Sequence, residues 1–425
     1  MTRRVAIVGA GWAGLAAAVE AADRGHAVTV FEAARVTGGR ARTVPVTLPD
    51  GSTALLDNGQ HILIGAYLET LRLMEKVGVD PHAALLRLPL VMRDPQGRGL
   101  ALPEWPAPWD AVAGILGARG WSAGDKLSLL RAAAGWQLRG FRCDGGLTVA
   151  ELTRRLRPRV REQLIAPLCV AALNTPAERA SAQVFLRVLR DALFGRGHRD
   201  WGGSNLLLPR DALGSLFPEA ATGWLAARGA QLRLGERVRR IESERGGWNV
   251  DGESFDALVL ATPSSETVRL LADRGIAASG WIEQAAALSY EAIATVYASG
   301  GPSLPCPMLA LSCGPGAPAQ FVFDRGQLGG PAGLLAFVAS ASTRDGEALE
   351  REVLGQAEAL GWRLQPLKTI IEKRATFACV PGLRRPPPAI AAGLWACGDY
   401  VEGPYPATLE GAVRAGVAVA RELDA

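Results

Sequence analysis

Histidine, lysine and cysteine are scarce in this chain, and each shortage removes a class of function. Four histidines in 425 residues are too few to expect a metal site, which needs ligands gathered at suitable spacing. The six cysteines (Cys143, Cys169, Cys306, Cys313, Cys379 and Cys397) have no Cys-x-x-Cys or zinc-like spacing. They read as mostly buried thiols in a reducing compartment. No apolar run reaches the ~20 residues that span a bilayer, and the basic start leads into a strand rather than a cleavable apolar segment. The protein is therefore expected to stay in the cytoplasm. Lysine is nearly absent beside abundant arginine, and the net charge is +4. That charge is too diffuse for nucleic acid, for which a basic stripe is needed, though mildly favourable toward an anionic membrane surface. No repeat of solenoid period is present.

What the chain does have is 48% hydrophobic residues, enough at this length to bury two substantial cores in two or three domains. Its densest signal lies in the first thirty-two residues. Arg4-Val5-Ala6-Ile7-Val8 reads as a buried strand, and Gly9-Ala10-Gly11-Trp12-Ala13-Gly14 as a tight turn into a small-residue helix. His26-Ala27-Val28-Thr29-Val30-Phe31-Glu32 is then a second strand ending on an acid. Gly9 permits the turn, Gly11 lets backbone N–H groups approach a pyrophosphate, and Gly14 lets the helix pack on the strand. The helix N-terminus faces the phosphates. Glu32, 18 residues beyond Gly14, sits near the spacing at which a carboxylate accepts from the hydroxyls of an unphosphorylated ribose.

Further along, Gly38-Gly39-Arg40 places an arginine on a glycine pair where it can clamp the same pyrophosphate. This resembles the Gly-Gly-Arg signature of flavoproteins in the amine oxidase and carotenoid desaturase superfamily. The C-terminus resembles the matching half: an apolar strand ending in Gly398-Asp399, then Pro406-Ala407-Thr408-Leu409-Glu410-Gly411 and an alanine-rich helix. The resemblance implies FAD, with Asp399 at its ribityl and phosphate part and the Leu409 N–H facing the flavin pyrimidine. Asp256 to Pro263 resembles the returning strand of that nucleotide domain, and Arg237 to Ile241 the strand whose backbone meets adenine at Val238.

The expected fold is α/β: a Rossmann-like FAD-binding domain of amine oxidase or desaturase type, assembled from about 1–78, 205–265 and 390–425. The insertions 79–204 and 266–389 form a discontinuous mixed-sheet and helical substrate domain. Leu127 to Ala134 and Val184 to Leu189 have helical spacing in the first insertion, and Ile293 to Tyr297 and Leu334 to Val338 are strand-like in the second. Arg384-Arg385-Pro386-Pro387-Pro388 reads as a surface loop before the final strand.

The segment Leu55-Leu56-Asp57-Asn58-Gly59-Gln60-His61-Ile62-Leu63-Ile64-Gly65 resembles one characteristic of hydroxysqualene dehydroxylases, the squalene-associated FAD-dependent desaturases of bacterial hopanoid synthesis. The likeness extends over nearly the whole chain, through Tyr67, Thr70, Leu71 and Tyr290 to Tyr297. It implies reductive removal of an allylic hydroxyl from a C30 isoprenoid by reduced FAD. An allylic hydroxyl departs readily only when protonated, and a placed acid contributes ~10² to 10⁴ in rate. His61, with an ordinary pKa of about 6.5, is the candidate donor. The alternative is that it shapes the cofactor site. Asp57 reads as a cap on the Asn58-Gly59 turn. Tyr405 is placed to line the cavity and steady a cation through its ring face, or else to pack.

A C30 hydrocarbon resists water by roughly 20 kcal/mol or more, which implies transfer from a membrane. Leu102 to Trp109, with Trp121 and Trp136, is the candidate membrane-facing entrance, unless these tryptophans pack the cavity's cover. The expected location is cytoplasmic, peripheral to the inner face of the cell membrane. Gly114, Gly117 and Gly120 make no second dinucleotide unit, so an external electron donor, a separate reductase or ferredoxin, is expected. Rival readings are an amine oxidase, which would usually carry a lysine on the Ile293 to Val296 strand, and an oxidative carotenoid desaturase. A third is a prenyl-binding chaperone of the GDP-dissociation-inhibitor type, without FAD.

Overall fold

The computed structural model describes residues 2–272 and 276–424. Two sheets of different burial pattern organise it. Arg4–Val8 is buried continuously from Val5 to Val8, as a parallel strand covered on both faces must be. It pairs in parallel with Ala27–Glu32 on one side and Ala257–Leu260 on the other. Gln231–Leu234 and Leu394–Ala396 extend the sheet in parallel outside these two. Ala389–Ala391 ends it antiparallel as the sixth strand.

The helix Trp12–Asp23 is buried from Trp12 to Ala21 because it lies between this sheet and the last helix, Leu409–Glu422. Small residues allow that approach: a Cβ on Gly416 would stand 2.2 Å from the Ala13 carbonyl oxygen.

One expectation for this sheet fails. Arg237 to Arg240 is not a strand; regular structure stops at Leu234 and resumes at Ile241–Glu244. The segment is held by side chains instead. The Arg239 and Arg240 N–H groups donate to the Asp251 carboxylate, and the Val238 carbonyl accepts from Arg269. The resemblance that suggested a strand here does not distinguish such a tethered link from a paired strand.

The second sheet has five strands in the order Met308–Ala310, Phe321–Asp324, Leu335–Ser340, Tyr290–Ser299 and Gln365–Phe377, with neighbours antiparallel. Its faces separate by the two-residue period. Ala294, Val296, Val322, Phe337 and Ala339 pack against Leu349, Val353 and Ala357 of the helix Gly346–Glu358. Ile293, Phe321, Phe323, Val338, Ser340 and Glu372 face a cavity on the other side.

The first insertion is mainly helical, with Trp109–Leu116, Ala123–Leu138 and Ala182–Phe194 as its longer helices. It also contributes Leu85–Leu88, which pairs with Leu206–Pro209 in a small sheet shared with Leu63–Ile64. Its tryptophans divide. Trp105 and Trp109 are 59% and 65% exposed, whereas Trp121 and Trp136 are buried, and Trp121 donates to Gln163 at 2.9 Å. Trp121 and Trp136 therefore pack inside rather than face outward as expected, and Trp105 and Trp109 stand at the surface. No helix among the described residues is long and apolar enough to cross a membrane.

Candidate functional site

A cavity of about 590 Å³ runs from the glycine turn of the first sheet to the floor formed by the second. It gathers Gly9, Gly11, Trp12, Ala13, Glu32, Gly39, Arg40, His61, Val238, Asp399 and Leu409 from across the chain. Among the remaining sequence-derived candidates, Ala10 and Gly14 lie behind the wall and support it. A Cβ on Gly14 would fall 1.9 Å from the Gly9 carbonyl oxygen, so this glycine is demanded by the contact of helix with strand. Gly9 has φ +110°, and a Cβ there would come within 2.7 Å of the Ala261 oxygen.

Gly11 differs: its Cβ would meet only the Gly39 Cα, at 3.9 Å. Nothing in the folded chain requires glycine there, yet the position borders the cavity beside Gly39. The helix beginning at Trp12 has no side-chain cap and no acid in its first turn. Its N–H groups and partial positive charge are thus available to an anion. Glu32 accepts from the Ala10 N–H at 2.7 Å and the Ala34 N–H at 2.8 Å, so it braces the glycine turn as well as lining the cavity. Its carboxylate retains lone pairs for ribose hydroxyls.

At the junction with the floor, Arg40 bonds Asp399 at 2.5 Å and donates to the Ala375 carbonyl at 2.7 Å. The Asp399 charge holds the Arg40 guanidinium above its ordinary pKa. Two residues proposed separately for phosphate and ribityl contacts are therefore partners that join the two sheets. The second helix N-terminus, at Leu409, also opens on the cavity. These residues fit a dinucleotide: Gly11, Gly39, Arg40 and the Trp12 helix would hold its pyrophosphate, Glu32 its ribose, and Asp399 with Leu409 its flavin end.

Each side chain from Asp57 to His61 reaches a different partner. Asp57 does not cap the following turn. Its Oδ1 accepts from the Leu213 N–H at 2.8 Å, while Oδ2 is buried without a hydrogen-bond partner. Burial accordingly pushes its carboxyl pKa up to about 6. The Asn58 amide donates to the Arg40 carbonyl at 3.0 Å and to Glu372 at 3.3 Å. Gln60 receives Arg325, a buried guanidinium, at 3.2 Å and donates its N–H to Thr295 at 3.4 Å.

The His61 Nδ1 lies 2.5 Å from the Gly59 carbonyl. An oxygen acceptor there places the neutral ring's proton on Nδ1 and leaves Nε2 as an acceptor. Burial, with the Arg40 charge adding to it, lowers the His61 pKa. At neutral pH its resting form is therefore not the imidazolium that a proton donor would need.

Tyr405 does not line the cavity among the described residues. It has φ +57°, its ring meets Tyr67 edge to face at 6.2 Å, and Arg414 lies 5.0 Å from its centroid. Tyr67 takes the cavity position, its hydroxyl kept protonated by burial and the nearby Glu410 charge. Glu410, fully buried, accepts from the Glu69 and Thr70 N–H groups, the Thr70 hydroxyl and Arg414. It thereby sets Tyr67 and Leu409 relative to one another. Tyr67 and Glu410 lie in matching segments whose sequence gives them no role; the Glu410 contact with Thr70 spans 340 positions. Glu372 and Asn174 also line the cavity and were not anticipated, since neither stands in a motif.

An anion-ready glycine turn at one end of a cavity and an apolar sheet at the other define a dinucleotide-dependent oxidoreductase. Residues 12–352 match the family described as flavin containing amine oxidoreductase. The chain belongs to that family, and it is an FAD-dependent oxidoreductase. It is similar over nearly its full length to proteins named hydroxysqualene dehydroxylase. The one from Rhodopseudomonas palustris is 29% identical, across 98% of this chain and 97% of that one. The one from Zymomonas mobilis is 27% identical, across 96% of each. Among solved structures, an oxidoreductase from Methanosarcina mazei shares the fold with a TM-score of 0.73 at 18% identity, covering 99% of this chain and 100% of that one.

Proposed function

We propose that this protein removes the allylic hydroxyl of hydroxysqualene to give squalene, consuming one hydride and one proton and releasing water. The observation that carries the proposal is the near-full-length similarity to the two dehydroxylases. The cavity's composition supports it: Ile62, Val170, Ile293, Phe321, Phe323 and Val338 give an apolar surface beside the nucleotide cradle, and none of the lining residues is a lysine. Bound in its reduced form, the flavin supplies the hydride.

The chain's own residues bind and orient. The floor strands and the helix Ala166–Leu173 enclose the hydrocarbon and exclude water. Tyr67, in the place expected for Tyr405, offers a ring and a protonated hydroxyl. His61 orders the loop and presents Nε2 as an acceptor, which favours the cofactor-shaping role over proton donation at neutral pH.

The same reading makes the protein peripheral to the inner face of the cytoplasmic membrane, with an external electron donor. Exposed Trp105 and Trp109, with Leu116 on the helix that Trp109 begins, would enter the interface, where tryptophan is favoured. Trp105→Ala with Trp109→Ala should lower co-flotation with anionic liposomes; unchanged flotation removes these residues from the contact.

The decisive experiment is anaerobic incubation of dithionite-reduced, FAD-loaded protein with hydroxysqualene. Squalene should form in step with flavin reoxidation. Rapid flavin reduction by a polyamine or by phytoene, with no reoxidation by hydroxysqualene, would reverse the assignment.

A further inference from the structure

The hydrogen-bonding capacity along the cavity is unevenly spent. Asn174, in the left-handed conformation at φ 45°, donates to the Thr376 hydroxyl at 2.9 Å and accepts from the Ala341 N–H at 2.8 Å. These groups satisfy one another. Asp399 is engaged by Arg40, Glu32 by two backbone N–H groups, and Glu266 by Arg269. All of these acids belong to the nucleotide side. Among the described lining residues, Glu372 is the one carboxylate carried by the floor sheet. It stands in a row with Ile293 and Ser340 across three neighbouring strands, all three bordering the cavity.

Among the described residues Glu372 accepts two hydrogen bonds, from the Asn58 amide at 3.3 Å and the Arg374 N–H at 3.4 Å, and its charge also acts on the Arg40 guanidinium. Both bonds are at the long end of the hydrogen-bond range. A carboxylate has about four acceptor sites, so Glu372 retains capacity directed at a ligand. His61 Nε2 is a second open acceptor at the cavity, while the Tyr67 and Ser340 hydroxyls border it as well. Of these groups Glu372 is the charged acceptor on the floor sheet, which matches a molecule that is hydrocarbon except for one O–H.

We propose that Glu372 is the specificity-determining residue that selects a long-chain isoprenoid alcohol over its hydrocarbon, by accepting the alcohol's O–H. The inference rests on the reading of the cavity as an isoprenoid site and adds what that reading lacks, the group that recognises the hydroxyl. A hydrocarbon would cover Glu372 and leave it without a replacement for water, whereas an alcohol supplies one. A methyl ether of the same length cannot donate and should be rejected like the hydrocarbon. Hydrogen bonds to charged groups correspond to ~10- to 100-fold in binding.

The test uses the FAD-loaded protein and three probes in matched detergent: geranylgeraniol, its methyl ether and the parent hydrocarbon. Binding is read by perturbation of the flavin spectrum without turnover. Wild type should prefer the alcohol by ~10-fold or more over both others. Glu372→Leu should bring the three affinities within about threefold of each other while flavin content and urea midpoint stay near wild type. Should the leucine variant not fold, Glu372→Gln decides, since its amide can donate to an ether oxygen and should close the gap between alcohol and ether. Equal binding of alcohol and hydrocarbon by wild type, or an undiminished preference for alcohol over ether in the glutamine variant, overturns the role of Glu372 alone. Failure of wild type to bind any of the three overturns both this inference and the isoprenoid reading beneath it.

Discussion

Asp57 should be a measurable liability at neutral pH, and Asp57→Asn should relieve it. The carboxyl is buried at the end of the strand Thr53–Asp57, with Oδ1 bound to the Leu213 N–H and Oδ2 without a partner. Its pKa is raised from 3.8 to about 6, chiefly by burial, with the Leu213 N–H and the Arg325 charge opposing. Below pH 4 the group is largely protonated in folded and unfolded chains alike, and folding incurs little cost. Between pH 4 and 6 the unfolded chain ionises first, so stability falls as pH rises; above 6 the full cost remains.

A shift of about two units corresponds to about 3 kcal/mol at pH 8, and about half of that at pH 5. Asparagine keeps the Oδ1 acceptor and carries no charge. The variant should therefore unfold at higher urea than wild type at pH 8, with the difference shrinking by about half at pH 5. With unfolding entropy scaling with chain length, the Tm gain at pH 8 is roughly 3 °C. Urea titrations of the FAD-loaded proteins at both pH values, followed by tryptophan fluorescence and flavin release, check this. A variant less stable than wild type at pH 8, or a stability difference independent of pH, would refute the reasoning. It would mean that the Asp57 charge is compensated by Arg325.

The glycines of the turn should separate by mechanism. Gly11→Val should fold yet contain no flavin, because the chain has room for its Cβ and the branch enters the cavity, whereas Gly14→Ala should fail to accumulate as folded protein because its Cβ meets the Gly9 oxygen at 1.9 Å. Stoichiometric flavin absorbance in Gly11→Val would end the assignment of the cradle. Glu32→Ala should weaken FAD more mildly and loosen the turn through loss of the Ala10 contact, read as a rise in the FAD dissociation constant. His61→Ala should keep most of its single-turnover reoxidation rate from pH 6.5 to 8 and shift the flavin spectrum, since burial lowers the His61 pKa; a loss of ~10² or more per bound flavin would restore the acid role. Glu410→Ala removes the acceptor of four hydrogen bonds and the partner of Arg414, and should cost ~3–5 kcal/mol in urea unfolding together with flavin affinity.

The nucleotide end was legible because its chemistry is written in local backbone requirements. Gly9, Gly11 and Gly14, the strand before them and Glu32 after them lie within thirty-two residues, and a turn that must approach phosphates leaves few choices of residue. The first sheet followed from the glycine fingerprint between its strands and from the superfamily resemblance, and the floor strands from strand-like segments such as Ile293 to Tyr297. By contrast, the sequence offered a cap role for Asp57 and two roles for His61 without the partners that decide them. The side-chain partners in Asp57 to His61 include Leu213, Glu372 and Arg325, and the Gln60 backbone N–H reaches Thr295; only the packing of separate elements brings these within hydrogen-bond range.

The same limit governed Tyr405 and Tyr67. Sequence order places both beside the flavin-facing segments, but the positive φ of Tyr405 and the Arg414 guanidinium near its ring put it outside the cavity lining that Tyr67 joins. Local sequence thus determined the elements, the cofactor class and one end of the site. Tertiary structure alone decided which groups are satisfied, which are charged and which face the ligand, because burial and partner choice are properties of residues far apart in the chain.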